Sequence, residues 1–310
     1  MTDKKPNPEG PIIVKILVLG ATGYLGSAIT DHLLALDHQV VSLQRSSDPI
    51  DLRTEGRQGD LAEPSTLSAA VTPDIDAVVH AAAPLGDWGT ERAAVQAMID
   101  RLGPEKVFLY LSGTWVLGAS ATPDAPAFDE TTAANPIALV RGRETVEVLV
   151  RRSAATGVVL RPGIGYGRGG GIPGLLVKLA REHGRGRVIG ARSTTWPMVH
   201  EEDLARLVEL ALRAGAPGDL LHGVAHPAVP VADVAAAADI AAGGTGTATV
   251  WDLCEAAETL GADFAEALAT SQEVRAERAR ELGWVPARCD VVTELTRGSY
   301  LLAPAGPAHA

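Results

Sequence analysis

Residues 12–19, Ile-Ile-Val-Lys-Ile-Leu-Val-Leu, form a short β-branched run that stops at Gly20, as expected of a strand buried on both faces. Over residues 24–37 the period changes: Leu25, Ile29, Leu33, Leu34 and Leu36 recur at helical spacing. The alternation then repeats. The pattern predicts strands at 40–43, 77–80, 107–111 and 158–160, and helices at 64–71, 90–102 and 138–155. Strands alternating with helices of this length imply right-handed crossovers, hence an α/β fold with a doubly wound parallel sheet.

Beyond Arg161 the texture changes. Glycines crowd residues 163–174, and little periodicity follows up to Pro197. Helices are predicted at 201–214, 231–242 and over the Ala-, Leu- and Glu-rich stretch 252–282, with a strand at 220–224. The organisation read from this is a tail at 1–11, a sheet domain at 12–165 and a smaller lobe at 166–302. Residues 199–225 return to the sheet domain, and 303–310 form a frayed tail.

Composition narrows the function. The 310 residues are 46% hydrophobic, enough for a full core, and carry 27 Lys and Arg against 38 Asp and Glu. A net charge of −11 argues against nucleic acid or an anionic membrane as partner, since both need a basic face. Two cysteines, Cys254 and Cys289, cannot staple a chain of this length and read as reduced intracellular thiols. No apolar run reaches membrane-spanning length, so the expectation is a cytoplasmic protein.

The strongest motif lies where the first strand meets the first helix: Gly20-Ala21-Thr22-Gly23-Tyr24-Leu25-Gly26. One glycine permits the tight turn, the second lets backbone approach a pyrophosphate, and the third allows close strand–helix packing. The phosphates would rest on the helix N-terminus, whose unpaired N–H groups favour an anion. The next strand ends in Leu43-Gln44-Arg45-Ser46-Ser47, with no acid before Asp48. An NAD site usually places an acid there to hold the ribose hydroxyls, whereas Arg45 and Ser46 suit the 2′-phosphate of NADP. NADP is therefore favoured over NAD.

The spacing Gly-x-x-Gly-x-x-Gly resembles the extended and atypical short-chain dehydrogenases/reductases, the NAD-dependent epimerase/dehydratase-like group with a Rossmann-like sheet. Other landmarks follow in that family's order. They are Gly59-Asp60-Leu61, Val79-His80-Ala81-Ala82-Ala83-Pro84, Leu160-Arg161-Pro162-Gly163, Tyr166-Gly167, Val199-His200-Glu201-Glu202-Asp203-Leu204 and Glu281-Leu282-Gly283-Trp284-Val285-Pro286. The resemblance implies cofactor contacts at Gly20, Thr22, Gly23, Tyr24, Leu25, Gly26, Asp60, Leu61, Ala81, Ala82, Ala83, Ser112, Arg143, Pro162 and Gly163. It also implies a homodimer through the helices after the fourth and fifth strands.

One feature of that family is missing. Its Tyr-x-x-x-Lys pair puts a phenol and a cation on one helix face, so that the phenol can exchange a proton during hydride transfer. Here no Tyr has Lys four residues later. Aligned from Pro136 the pair becomes Val140 and Glu144; aligned from Glu147 it becomes Leu139 and Arg143, the preferred register because Arg143 keeps a cation beside the ribose. Thr114, near the end of the fifth strand, is the candidate for the substrate's oxygen. Tyr166 and His200 are candidate replacement acids; their bland alternatives are packing for Tyr166 and a helix cap for His200. Trp88, Trp115 and Trp196, with Thr114 and Tyr166, are candidate substrate contacts and suggest an apolar or aromatic ligand. No metal-ligand cluster is expected.

The reading is an NADP(H)-dependent oxidoreductase acting on a small organic molecule with a non-standard active site. Two alternatives stay open: a redox-neutral cyclase, isomerase or lyase on the same scaffold, and an NADP-binding regulator without turnover.

Overall fold

The computed structural model describes residues 14–45, 51–82, 86–122, 125–288 and 290–301. The expected tails at 1–11 and 303–310, and Cys289, lie outside them. In chain order the elements are β1 (Lys15–Leu19), α1 (Tyr24–Ala35), β2 (Gln39–Gln44), β3 (Glu55–Gln58), α2 (Pro64–Ala70), β4 (Ala77–His80), α3 (Trp88–Leu102) and β5 (Val107–Leu111). They continue with α4 (Arg143–Arg151), β6 (Thr156–Pro162), β7 (Ile164–Tyr166), α5 (Gly171–His183), β8 (Gly186–Ile189), β9 (Thr195–His200), α6 (Glu201–Ala214), β10 (Leu220–Gly223) and β11 (His226–Pro230). The last are α7 (Val231–Ala241), β12 (Ala248–Trp251), α8 (Leu253–Leu260), α9 (Ala262–Ala269), α10 (Glu277–Glu281) and α11 (Val291–Arg297).

Seven strands make one parallel sheet in the order β10-β6-β5-β4-β1-β2-β3. Strand alternation sends Ile16 and Val18 to one face, with Ile29 of α1 and Leu204 and Val208 of α6. Leu17 and Leu19 go to the other, with Leu67 of α2, Met98 of α3 and Val146 of α4. Chain order reverses between β1 and β4, and open α/β sheets bind ligands at the carboxyl ends of the strands on either side of such a point.

A second core lies beyond the strand ends, where Tyr166, Trp196, Met198, Trp251, Leu268 and Tyr300 are buried together. It rests on the three-stranded sheet β11-β9-β7 and the pair β12-β8. Between them the chain returns to the main domain, α6 packing on its face and β10 closing its edge.

Several boundaries differ from the sequence pattern. The helix expected over 138–155 is broken: a 3₁₀ turn at Ala138–Val140 is separated from α4 by Gly142, whose φ is 107°. Glycines hid β7 and most of α5 in the segment that showed little periodicity. The stretch 252–282 is three short helices, not continuous ones, with α9 ending at Ala269 and α10 starting at Glu277. Polar β3 gave no apolar signal because it is an edge strand with largely exposed residues.

Candidate cofactor and substrate site

Gly20 ends β1 with φ 74°, and a Cβ there would stand 2.7 Å from Ala82 Cα. A Cβ on Gly26 would stand 1.9 Å from the Gly20 carbonyl oxygen, so only glycine lets α1 start against the strand. The Gly23 N–H donates to Gly20 O at 2.9 Å. Gly23 is the N-cap of α1, and no side chain caps it. Thr22 and Gly23 are exposed, and Tyr24 and Leu25 half-buried. The first-turn N–H groups have no partner within the helix, and the helix dipole adds positive charge there.

Beside this turn, β2 ends at Gln44 and an exposed Arg45. Gly59 lies so close to Leu43 that a Cβ would stand 2.7 Å from Leu43 Cδ1, which keeps the Asp60–Leu61 turn near the end of β2. Asp60 Oδ1 accepts from the Ala62 N–H at 2.9 Å. The Ala81 N–H donates to Leu19 O at 3.0 Å, joining the end of β4 to the glycine turn. Ser46 and Ala83 lie outside the described residues. A glycine cradle and an open helix start fit the pyrophosphate of a dinucleotide.

Two strands over from β1, the end of β5 supplies hydroxyls and a cation. Ser112 is buried and its Oγ has no hydrogen-bond partner among the described residues. Thr114 is also buried; its carbonyl, like that of Gly118, accepts from the Gln272 amide, tying the second lobe to this turn. Arg143 donates through Nη2 to Leu111 O at 2.7 Å and through Nε to Tyr110 Oη at 3.3 Å. Its guanidinium carbon lies 5.9 Å from the Trp88 ring centroid and 5.6 Å from that of Tyr110. At the end of β6, Pro162 and Gly163 are buried, and a Cβ on Gly163 would stand 2.5 Å from Pro197 O.

The sequence profile of the NAD dependent epimerase/dehydratase family matches residues 16–224, about two-thirds of the chain, including all seven strands of the main sheet. The chain belongs to this family. Among its relatives are an uncharacterized protein of Saccharomyces cerevisiae, YLL056C, 28% identical over 72% of this chain and 78% of that one. Another is the 2-alkyl-3-oxoalkanoate reductase of Stenotrophomonas maltophilia, 31% identical over 69% of each chain. The fold matches the crystal structure of human epimerase family protein SDR39U1 with NADPH, with a TM-score of 0.75, 22% identity and coverage of 92% of this chain and 99% of that one. It also matches a UDP-glucose 4-epimerase of Thermus thermophilus in complex with NAD, with a TM-score of 0.72, 16% identity and coverage of 93% and 99%.

Against the epimerase/dehydratase pattern, three of the expected site residues are sealed away from any cleft. Tyr166 is fully buried and its hydroxyl donates to Arg288 O at 3.0 Å, so it packs rather than offers a proton. His200 caps α6: its Nδ1 accepts from the Glu202 N–H at 3.1 Å, its ring meets Tyr166 edge-on, and burial lowers its pKa. Trp196 is 1% exposed and donates to Leu268 O at 3.2 Å, which removes it as a substrate contact. Trp88 lies over Gly142 and beside Arg143, and Trp115 is half-buried with its ring edge-on to Phe264. The Leu139 and Arg143 register is not one helical turn, because Gly142 breaks the helix between them.

The ligand atoms of His200, Glu201 and Glu202 lie within 4.8 Å of one another, but cap bonding occupies the histidine Nδ1 and Arg168 pairs with Glu201. The sequence reading passed over Tyr110, Glu91 and Gln272. Tyr110 and Glu91 fall on periodic core positions of β5 and α3, and nothing local distinguishes them from packing residues. Among the described residues no helix is long and apolar enough to cross a membrane.

Proposed function

We propose that this family member is an NADPH-dependent oxidoreductase acting on a small, largely apolar organic molecule. The observation that carries the cofactor half is the end of β2, where Gln44 is followed by an exposed Arg45 and no carboxylate. The Stenotrophomonas relative, named as a reductase, and the NADPH in the human SDR39U1 crystal support the same direction. The glycine turn seats the pyrophosphate, Arg45 the 2′-phosphate, and Arg143 the ribose next to the nicotinamide.

Bound NADPH supplies a hydride. Ser112 and Thr114 hold the acceptor's polar atom at the end of β5 by their hydroxyls, and Trp115 and Phe264 offer an apolar wall. No phenol stands at the family's proton-donor position in either register, whether Leu139 or Val140 is placed there. The proton that completes reduction then comes from water or from the substrate, which suits a polarised alkene or an iminium better than a simple ketone. The missing phenol also favours a second reading, NADP binding without turnover.

The test is a thermal shift with NADPH, NADP+, NADH and NAD+ on stripped protein, followed by NADPH oxidation against enone, imine and ketone panels. A ligand at a hundred times its dissociation constant stabilises a fold by about 2.7 kcal/mol. The expected result is a shift with NADPH and NADP+ that exceeds the shift with NADH, and that Arg45→Asp abolishes. Equal shifts for both cofactors would refute the NADP assignment; binding with no oxidation across the panel would favour the second reading.

A further inference from the structure

Arg143 opens α4, the end of a helix where a cation is disfavoured by the dipole. The chain goes to some length to keep it there. Gly142 breaks the preceding turn, and a Cβ on it would collide with Trp88 Cδ1 at 2.5 Å. Glu144 accepts from the Gly142 N–H at 2.8 Å and sets an acid in the same first turn. The guanidinium then lies against the Trp88 and Tyr110 rings and is tied to the last carbonyl of β5.

Its counter-charge is arranged at one remove. Arg143 Nε donates to Tyr110 Oη, and Tyr110 Oη donates to Glu91 Oε1 at 3.4 Å. Glu91 is 2% exposed, and His80 Nε2 lies 3.2 Å from the same carboxyl oxygen. Complete burial, with Arg143 nearby, pushes His80 down to about 3, so it adds no positive charge at neutral pH. The half-buried Arg143 guanidinium and the buried Glu91 carboxyl are thus separated by a phenol, while the buried Glu147, one turn along α4, is taken up by Arg161 at 2.5 Å. A direct salt bridge would consume the donor face of Arg143. Here, among the described residues, its second terminal nitrogen has no protein partner.

The end of β5 stands two strand spacings from the glycine turn, about 10 Å. A cation presented there meets the nicotinamide half of a dinucleotide seated on that turn. A residue placed against its local preference and supported from several elements is what a functional constraint produces.

We propose that Tyr110, Glu91 and Trp88 are positioning residues that hold Arg143 toward the nicotinamide ribose, so that a strand phenol and a buried acid do the work of the absent Tyr-x-x-x-Lys pair in fixing that ribose. This rests on the NADP reading above. The experiment compares dissociation constants for NADPH, from the fluorescence of the bound nucleotide, with those for adenosine 2′,5′-bisphosphate, by calorimetry. The latter carries the adenine end and the 2′-phosphate but no nicotinamide ribose. The proteins are wild type, Arg143→Ala, Tyr110→Phe and the isosteric Glu91→Gln.

Arg143→Ala is expected to weaken NADPH about tenfold, the loss of one charge-assisted contact. Tyr110→Phe and Glu91→Gln are expected to weaken it about threefold, a fraction of that contact. All three should bind the bisphosphate as wild type does. Equal losses for both ligands would mean a general loosening of the fold and overturn the proposal, as would unchanged NADPH binding in Tyr110→Phe and Glu91→Gln. Wild-type protein that binds neither ligand would instead bring down the NADP reading, and this inference with it.

Discussion

Two glycines three residues apart in the same turn should respond to alanine in opposite ways. At Gly26 the added Cβ would lie 1.9 Å from Gly20 O and 2.7 Å from Gly20 C, about 1.5 Å inside ordinary contact. Gly20 cannot yield, because it is pinned on its other side by the Ala81–Ala82 backbone at 2.7–2.8 Å from its own would-be Cβ. The start of α1 must therefore lift off β1. Overpacking of this kind costs about 3 kcal/mol, the upper end for an inserted methyl, or about 6 °C in melting temperature.

At Gly23 the nearest atom is Gly20 O at 3.2 Å and φ is −70°, so alanine fits with a small shift. Alanine is a poorer N-cap than glycine, at a cost on the order of 1 kcal/mol. Gly23 is exposed at the open helix start, and its methyl would stand where the pyrophosphate must approach. Gly23→Ala should keep its melting temperature within about 2 °C while losing more than about tenfold in NADPH affinity. Gly26→Ala should lose both. Calorimetric melting and NADPH fluorescence titration give the two readouts. A wild-type melting temperature for Gly26→Ala would refute the packing argument, and wild-type affinity for Gly23→Ala would refute the phosphate seat.

Other expectations follow from the same geometry. Tyr166→Phe removes one buried hydrogen bond to Arg288 O and should cost about 1 kcal/mol in urea unfolding with turnover unchanged; a large loss of turnover would return Tyr166 to the active site. Asp203 is fully buried and accepts from the N–H groups of Ala287 and Arg288 at 2.8 and 2.9 Å. Asp203→Ala therefore strands two donors and should cost about 4 kcal/mol, read as a lower urea midpoint; a midpoint near wild type would show that the 284–288 segment does not depend on it. Burial pushes His80 to about 3 and His222 to about 4, so between those values and 6.5 the unfolded chain binds more protons than the native one and stability rises with pH. Going from pH 7 to pH 5 should then cost about 2 kcal/mol per histidine, offset in part by Glu91 and Glu201, whose carboxyls burial raises; an unfolding midpoint equal at the two pH values would contradict the histidine assignment.

What the chain announced on its own was periodic. The buried strands, the crossover helices and the Gly20–Gly26 turn follow from spacing, because a pleat repeats every two residues, a helix every 3.6, and a phosphate turn needs glycine at fixed offsets. The lack of an acid at Arg45 was equally plain, and so was the missing phenol, since neither Leu139 nor Val140, the two positions the alternative registers offer, carries one. The fate of Tyr166, His200 and Trp196 was not. All three are polar or aromatic residues in a segment that the order of landmarks placed near the cofactor, and only β7, β9 and α9 closing over them made them core. The carriage of Arg143 was hidden for the converse reason. Glu91 and Tyr110 sit at ordinary core positions 19 residues apart, and it takes the pairing of β4 with β5, and the packing of α3 and α4 on one sheet face, to bring a carboxyl, a phenol and a guanidinium into a single chain of hydrogen bonds.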